Sequence, residues 1–281
     1  MKINQLLKKQ GALASAASRK LGTLNKSLKD SALRAMADSL NENSGTILRA
    51  NSEDIKNARA LGEDFHVTER MLLDNDRVTD MVESLYKISD LDDPIGEIIE
   101  SSKLPNGLLL EKVRVPLGVI GVIYESRPNI TVDISALCIK SGNSVILRGG
   151  KEAFTTNSTI TNIIRKSAET SGLPSDTIQF ISSTNRSLVK QMLNMDKYID
   201  LIIPRGSSDL VNFVAENAKM PAITGGVGVC HTFVDKSANF KKAIDIVVNA
   251  KVQRHTVCNA CLLYTSPSPR DLSTSRMPSS A

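Results

Sequence analysis

Tryptophan is absent from this chain, and four tyrosines with six phenylalanines bring aromatics to only 4% of its 281 residues. Lys and Arg number 35 against 30 Asp and Glu, a formal charge of +5. The cations are dispersed among acids, and no basic run is interleaved with aromatics. That pattern argues against a nucleic-acid partner and suits a phosphorylated small substrate or cofactor instead. No run of about 18 apolar residues occurs, so no membrane span is expected. The four cysteines, Cys138, Cys230, Cys258 and Cys261, are too few for a disulfide framework in a chain this long, and a reducing cytoplasm is the expected location. No G-x-G-x-x-G follows a strand-like run, so the standard dinucleotide fingerprint is also missing.

What is present is a 41% hydrophobic composition on a length sufficient for one large or two ordinary domains. "MKINQLLKKQGALASAASRKLG" is broken by Gly11 and by serines, and reads as a first amphipathic helix rather than a signal peptide; its basic, Ser-containing character also fits an organelle transit peptide. Leu24, Leu28, Ala32, Met36 and Leu40 recur every four positions, and Val78, Met81, Val82 and Leu85 follow the helical template. The first hundred residues are therefore expected to be helical. From Leu108 the period changes, and "GLLLEKVRVPLGVIGVIYE" holds two β-rich runs parted by Pro116 and Gly118. A β-hairpin is expected at about 106–120.

Beyond it, short apolar runs alternate with amphipathic ones. "VIGVIYE", "SVILRGG", "IQFI", "YIDLIIPRG" and "CHTFVD" each precede a helical segment, the last being "NFKKAIDIVVNAKVQ". This alternation predicts an α/β fold, a doubly wound parallel sheet covered on both faces. Ligands of such sheets bind beyond the carboxyl ends of the strands, so the turns after each strand are the candidates. "YESRPNITVD" sets Asn129 between strand and helix, either as an amide donor for a developing oxyanion or as a turn residue near a helix start. In "ILRGGKEA" the Gly pair lets backbone approach a ligand, with Arg148 and Lys151 in reach of ribose or phosphate, unless this is a plain glycine turn with exposed cations. "LIIPRGSSDL" places Gly206 in a tight turn and Ser207 or Ser208 at a helix start whose free N–H groups suit an anion. In "RHTVCNA", Arg254 and His255 precede Cys258, which is either a nucleophile with a lowered pKa or an inert small hydrophobe. Cys230, His231, Cys258 and Cys261 count out to a zinc set, but neighbours in a strand-like run point to opposite faces, so no metal site is expected.

Together "VRVPLGVIGVIYESRPNITVD", "GNSVILRGGKEA", "DLIIPRGSSDLV", "CHTFVD" and "VCNA" resemble the γ-glutamyl phosphate reductases, the proline-biosynthesis branch of the aldehyde dehydrogenase superfamily. The resemblance covers residues 1 to about 260. It implies NADPH-dependent reduction of an acyl phosphate, L-glutamyl 5-phosphate, to L-glutamate 5-semialdehyde. Cys258 would form a thioester, and Asn129 with the Cys258 N–H would hold the oxyanion. Gly206 and Ser207 would meet the cofactor diphosphate, and Arg148 with Lys151 would lie near the adenosine ribose or its 2′-phosphate. Oxidising aldehyde dehydrogenases resemble one another in a glutamate ahead of Gly-Gly that activates water; here "PAITGGVGVCH" has Ile223-Thr224, which fits a reductase that must not hydrolyse its thioester.

Residues 1–253 are thus expected to form an NADP-binding domain, 254–261 the start of a catalytic domain whose remainder is absent, and 262–281 a disordered tail. "LLYTSPSPRDLSTSRMPSSA" offers too little apolar surface to order itself and resembles translated non-coding or adaptor sequence. Members of the family continue well past the cysteine, and the full-length form is expected to be a homo-oligomer. Two alternatives stay open: an inactive fragment serving at most as a dinucleotide-binding module, and a related acyl-phosphate or semialdehyde reductase.

Overall fold

The computed structural model describes residues 3–225, 228–253 and 259–260, in two compact units, Met1–Thr224 and Gly225–Ala281. Five helices open the first unit: α1 (Gln5–Leu21), α2 (Lys26–Glu42), α3 (Ser44–Ala60), α4 (Phe65–Met71) and α5 (Asn75–Asp90). Four of them start on an Asn or Asp (Asn4, Asn25, Asp64 and Asp74) whose side chain accepts an N–H of the first turn, satisfying a donor that a helix start leaves open. The apolar stripe of α2, through Ala32, Leu33, Met36 and Leu40, is buried with Val78, Met81 and Leu85 of α5.

Two antiparallel strands follow, β1 (Ile98–Lys103) and β2 (Leu109–Val113), with Gly107 at φ 89° in the turn between them. The expected hairpin at 106–120 is displaced. The run from Leu109 pairs backward onto Ile98–Lys103 rather than forward across Pro116. Proline brings no N–H to a ladder, and the Gly118 N–H goes to the Asn143 side chain at 2.8 Å. The chain beyond is thereby steered into a different sheet. Every residue of the β1–β2 ribbon is exposed.

That sheet comprises β3 (Val119–Tyr124), β4 (Ser144–Arg148), β5 (Ile178–Phe180) and β6 (Leu201–Arg205), all parallel, in the order β5-β4-β3-β6. Helices α6 (Asn129–Lys140), α7 (Phe154–Thr170) and α8 (Ser187–Met192) connect the strands, and α9 (Ser208–Asn217) follows β6. Successive side chains of β3 enter different cores. Ile120, Val122 and Tyr124 pack with α2, α5, α6 and α7, while Val119 and Ile123 pack with Leu7 and Ala14 of α1, Val189 of α8 and Val214 of α9. Both faces are covered, which is why all six residues of β3 are buried and why the strand reads as unbroken apolar sequence. The expected α/β class, doubly wound parallel sheet and N-terminal helical segment are present, as is a β-hairpin, though at 98–113 rather than 106–120. Gly11 keeps α1 close: a Cβ there would lie 2.8 Å from Met195 and Tyr198.

In the second unit α10 (Phe240–Val252) starts on Asn239, whose side chain accepts the Lys242 N–H, and none of its residues is buried. The strand expected at "CHTFVD" does not form: residues 228–235 carry no regular structure, and Phe233 is 87% exposed. An apolar run becomes a strand only on a ladder partner, and the Asp235 carboxylate instead takes the Ser237 N–H and hydroxyl in a turn ahead of α10. No helix of the described residues is long and apolar enough to cross a membrane.

Candidate functional site

The chain visits β3, β4 and β5 in one direction and then returns to place β6 on the other side of β3. Beyond the carboxyl ends of the strands flanking that reversal, a crevice is left uncovered. A cleft of about 720 Å³ lies there, lined by Tyr124 and Glu125 from the end of β3, Arg148 and Lys151 from the end of β4, and Ser207 at the start of α9. Ser126, also in its wall, is buried and holds φ 38°, a left-handed conformation that costs a non-glycine residue roughly 1–3 kcal/mol and often marks a functional turn.

Three predicted residues, Ser207, Arg148 and Lys151, line this cleft. Ser207 caps α9, its Oγ accepting the Leu210 N–H at 3.4 Å. Gly206 precedes it where any side chain would collide, a Cβ falling 2.5 Å from Glu125 Cδ. Arg148 is only 8% exposed; Nη2 donates to the Thr184 carbonyl at 3.3 Å, and Nε has no partner. Burial pushes its pKa below the ordinary arginine value, with Glu152 opposing that shift and Arg186 adding to it. Lys151 is exposed, its Nζ 3.5 Å from Glu63.

Asn129 is not among the residues lining the cleft. It is exposed at the first position of α6, and its Nδ2 donates to Asp133 at 3.1 Å. Asp133 in turn accepts the Ser84 hydroxyl at 2.8 Å, so the amide is held by a two-step relay to α5. Cys258, with Arg254, His255 and Cys261, lies outside the described residues. Cys138 is buried and Cys230 half-buried. Among the described residues no group of three or more His, Cys, Asp or Glu could hold a metal ion.

Several cleft residues escape sequence reasoning. Glu125 directly follows a wholly apolar strand, a position where an acid is out of place, and that was the available signal. Arg186, at the N-cap of α8, and Lys190, in its last turn, stand four apart and line the cleft. Lys190 Nζ sits 5.8 Å from the Phe213 ring centroid, a cation–π distance. Phe213, Leu210 and Val189 supply an apolar wall.

The Aldehyde dehydrogenase family matches residues 6–262. A γ-glutamyl phosphate reductase of Clostridium tetani is 47% identical over 276 residues, covering 98% of this chain and 64% of that protein. One from Clostridium acetobutylicum is 50% identical over 244 residues, 87% of this chain and 58% of its own length. The crystal structure of a γ-glutamyl phosphate reductase from Thermotoga maritima superimposes with a TM-score of 0.84 at 40% identity, covering 92% of this chain and 62% of that one. Its counterpart from Saccharomyces cerevisiae gives a TM-score of 0.74 at 31% identity, covering 90% and 64%. The chain thus spans less than two thirds of the length of these relatives.

Proposed function

The chain belongs to the aldehyde dehydrogenase family, and from that membership we propose that its cleft holds NADP(H) in the reduction of L-glutamyl 5-phosphate to L-glutamate 5-semialdehyde, with release of phosphate, in proline biosynthesis. The acyl-phosphate substrate is supported by the relatives at 47% and 50% identity, which carry the name γ-glutamyl phosphate reductase.

The observation that carries the cofactor reading is the buried Arg148 with its unpartnered Nε, in one cleft with the N-terminus of α9. A guanidinium taken out of water needs an anion, and a helix start with free N–H groups suits a diphosphate. Lys151, 3.5 Å from Glu63, and Arg186 are the cations that a 2′-phosphate of NADP would meet beside Arg148. Phe213, Leu210 and Val189 suit the face of a flat ring.

Bound there, the reduced nicotinamide would supply the hydride that turns a thioester into an aldehyde. The rest falls to side chains of this chain. The Cys258 thiolate attacks the acyl carbon, the C–O bond to phosphate breaks with its electron pair leaving on phosphate, and a thioester forms. Asn129 and the Cys258 N–H steady the oxyanion of the tetrahedral stage. An amide nitrogen has two hydrogens, so Asn129 can keep its bond to Asp133 and donate the second. Ile223 and Thr224 bring no carboxylate that would activate water against the thioester.

A second reading concerns the 281-residue polypeptide itself, as a cofactor-binding module without turnover. It is favoured by the contrast between a cleft built entirely from residues 63–213 and α10, of which no residue is buried. For the homo-oligomer proposed for the family form, the exposed apolar side chains of Leu108 and Leu109 beside the β1–β2 turn, 62% and 66% exposed, support an interface at that ribbon. The test is to titrate the chain with NADPH and, separately, to assay phosphate-dependent reduction of NADP with glutamate 5-semialdehyde. Binding without turnover is expected. Absence of NADPH binding sinks the cofactor reading, and turnover sinks the module reading.

A further inference from the structure

Glu125 stands where an external anion would. It follows the last residue of β3, yet its side chain crosses to the exit of β6 and ends on Ser207, the N-cap of α9. Oε2 accepts the Ser207 N–H at 2.9 Å, and Oε1 accepts the Ser207 hydroxyl at 3.0 Å. Gly206 is pressed so closely that a Cβ would fall 2.6 Å from the same Oε2. A ten-residue helix presents its positive end and open N–H groups at this point, the setting in which phosphate is held. A carboxylate has the same sign of charge and the same kind of acceptor oxygens.

An independent observation concerns a second cationic feature in the wall of the same cleft. Arg148, 8% exposed, keeps Nε without a partner in the same cleft. A buried donor left open is unfavourable, and Glu125 does not fill it. One anion-binding feature is therefore occupied by the protein's own carboxylate, while the other stays open.

We infer that Glu125 is a displaceable internal anion: it holds the α9 N-terminus in the free chain and must swing out before a dinucleotide's diphosphate can take the Ser207 N–H. This deepens the cofactor reading and rests on it. Only chains with the carboxylate swung away are competent, so the apparent affinity is lowered by about tenfold for charge-assisted bonds of this kind.

The test titrates the 281-residue chain, and its Glu125→Gln, Glu125→Ala and Arg148→Ala variants, with NADPH and separately with inorganic pyrophosphate, at one pH and one ionic strength. Both Glu125 variants are expected to bind each probe about tenfold more tightly than the parent chain. Glu125→Gln keeps an oxygen for the Ser207 N–H and loses only the charge, so it guards against a simple folding defect. A residue that merely braced the turn would weaken binding when removed. Unchanged or weaker binding in both Glu125 variants, with Arg148→Ala weaker than the parent, overturns the inference and leaves the cofactor reading standing. If no chain binds either probe, both fall together.

Discussion

Asp54 on α3 and Thr156 on α7 are joined twice: the Asp54 carboxylate accepts both the backbone N–H and the hydroxyl of Thr156, each at 2.7 Å. The Thr155 N–H reaches the other oxygen at 3.3 Å. Helix α7 has no cap of its own, since Ala153 stands at that position, so a distant helix supplies the acceptor. Asp54 is 4% exposed, and water cannot replace it. Asp54→Ala should therefore cost about 3 kcal/mol, and Asp54→Asn, which keeps one acceptor, about half of that. Urea unfolding measures both, and two values near zero would deny the cap its role.

Gly118 cannot carry a side chain. It sits at φ 125°, and a Cβ would fall 2.1 Å from the Asp200 Oδ2 that accepts the Val119 N–H at 2.7 Å. Gly118→Ala should lose about 2–4 kcal/mol from backbone strain together with displacement of Asp200. Adding Asp200→Ala removes the collision but not the strain, so the double variant should recover only part of the loss. Full recovery in a double-mutant cycle would show that the backbone conformation contributes nothing.

Acid should loosen the joint between α2 and α6. Burial opposes ionisation of Asp30, but hydrogen bonds from Lys140 and Lys26 outweigh it and hold the carboxyl below its ordinary value. Lys140, 3% exposed, also donates to the Ser89 carbonyl at 2.8 Å. With the folded value depressed, the unfolded chain binds the proton first as pH falls. The contribution is fully present above about pH 4 and disappears as pH drops below it. Stability curves of the parent chain and Asp30→Asn should converge in that acid range. Parallel curves across it would refute the linkage.

Thiol labelling should separate the cysteines. Burial pushes the Cys138 thiol up to about 12, so it should stay unlabelled until the chain unfolds, whereas half-buried Cys230 labels in the native state. Cys258 is expected to react fastest, as a nucleophile beside Arg254 and His255 would. Mass spectrometry after brief iodoacetamide exposure reads the order, and a Cys258 slower than Cys230 would count against its proposed chemistry.

The sheet is legible because both faces of it are buried. Every residue of "VIGVIY" and "SVILR" is buried, so the first is uncharged throughout and the second is apolar at all positions between its ends, Ser144 and Arg148. β1 is not legible, since "IIESSK" lies exposed and carries no alternation for a core to impose. "CHTFVD" misleads in the opposite way, being apolar enough for a strand that the described structure lacks. At the site, Arg148 and Ser207 are legible as strand-exit residues. Glu125 reaches Ser207 only because β6 returns beside β3, and strand order is set by tertiary packing that local pattern does not encode.

That return also decides when the crevice comes into being. Strands β3, β4 and β5 can zip together from near neighbours in the chain, whereas β6 must close a long loop back onto β3, which makes its docking the entropically slower event. The crevice is then the final piece of the sheet to assemble and the first to fray, and amide exchange at Asp200, whose N–H donates to the Val119 carbonyl at 2.9 Å, should outpace that at Val145, whose N–H donates to the Thr177 carbonyl.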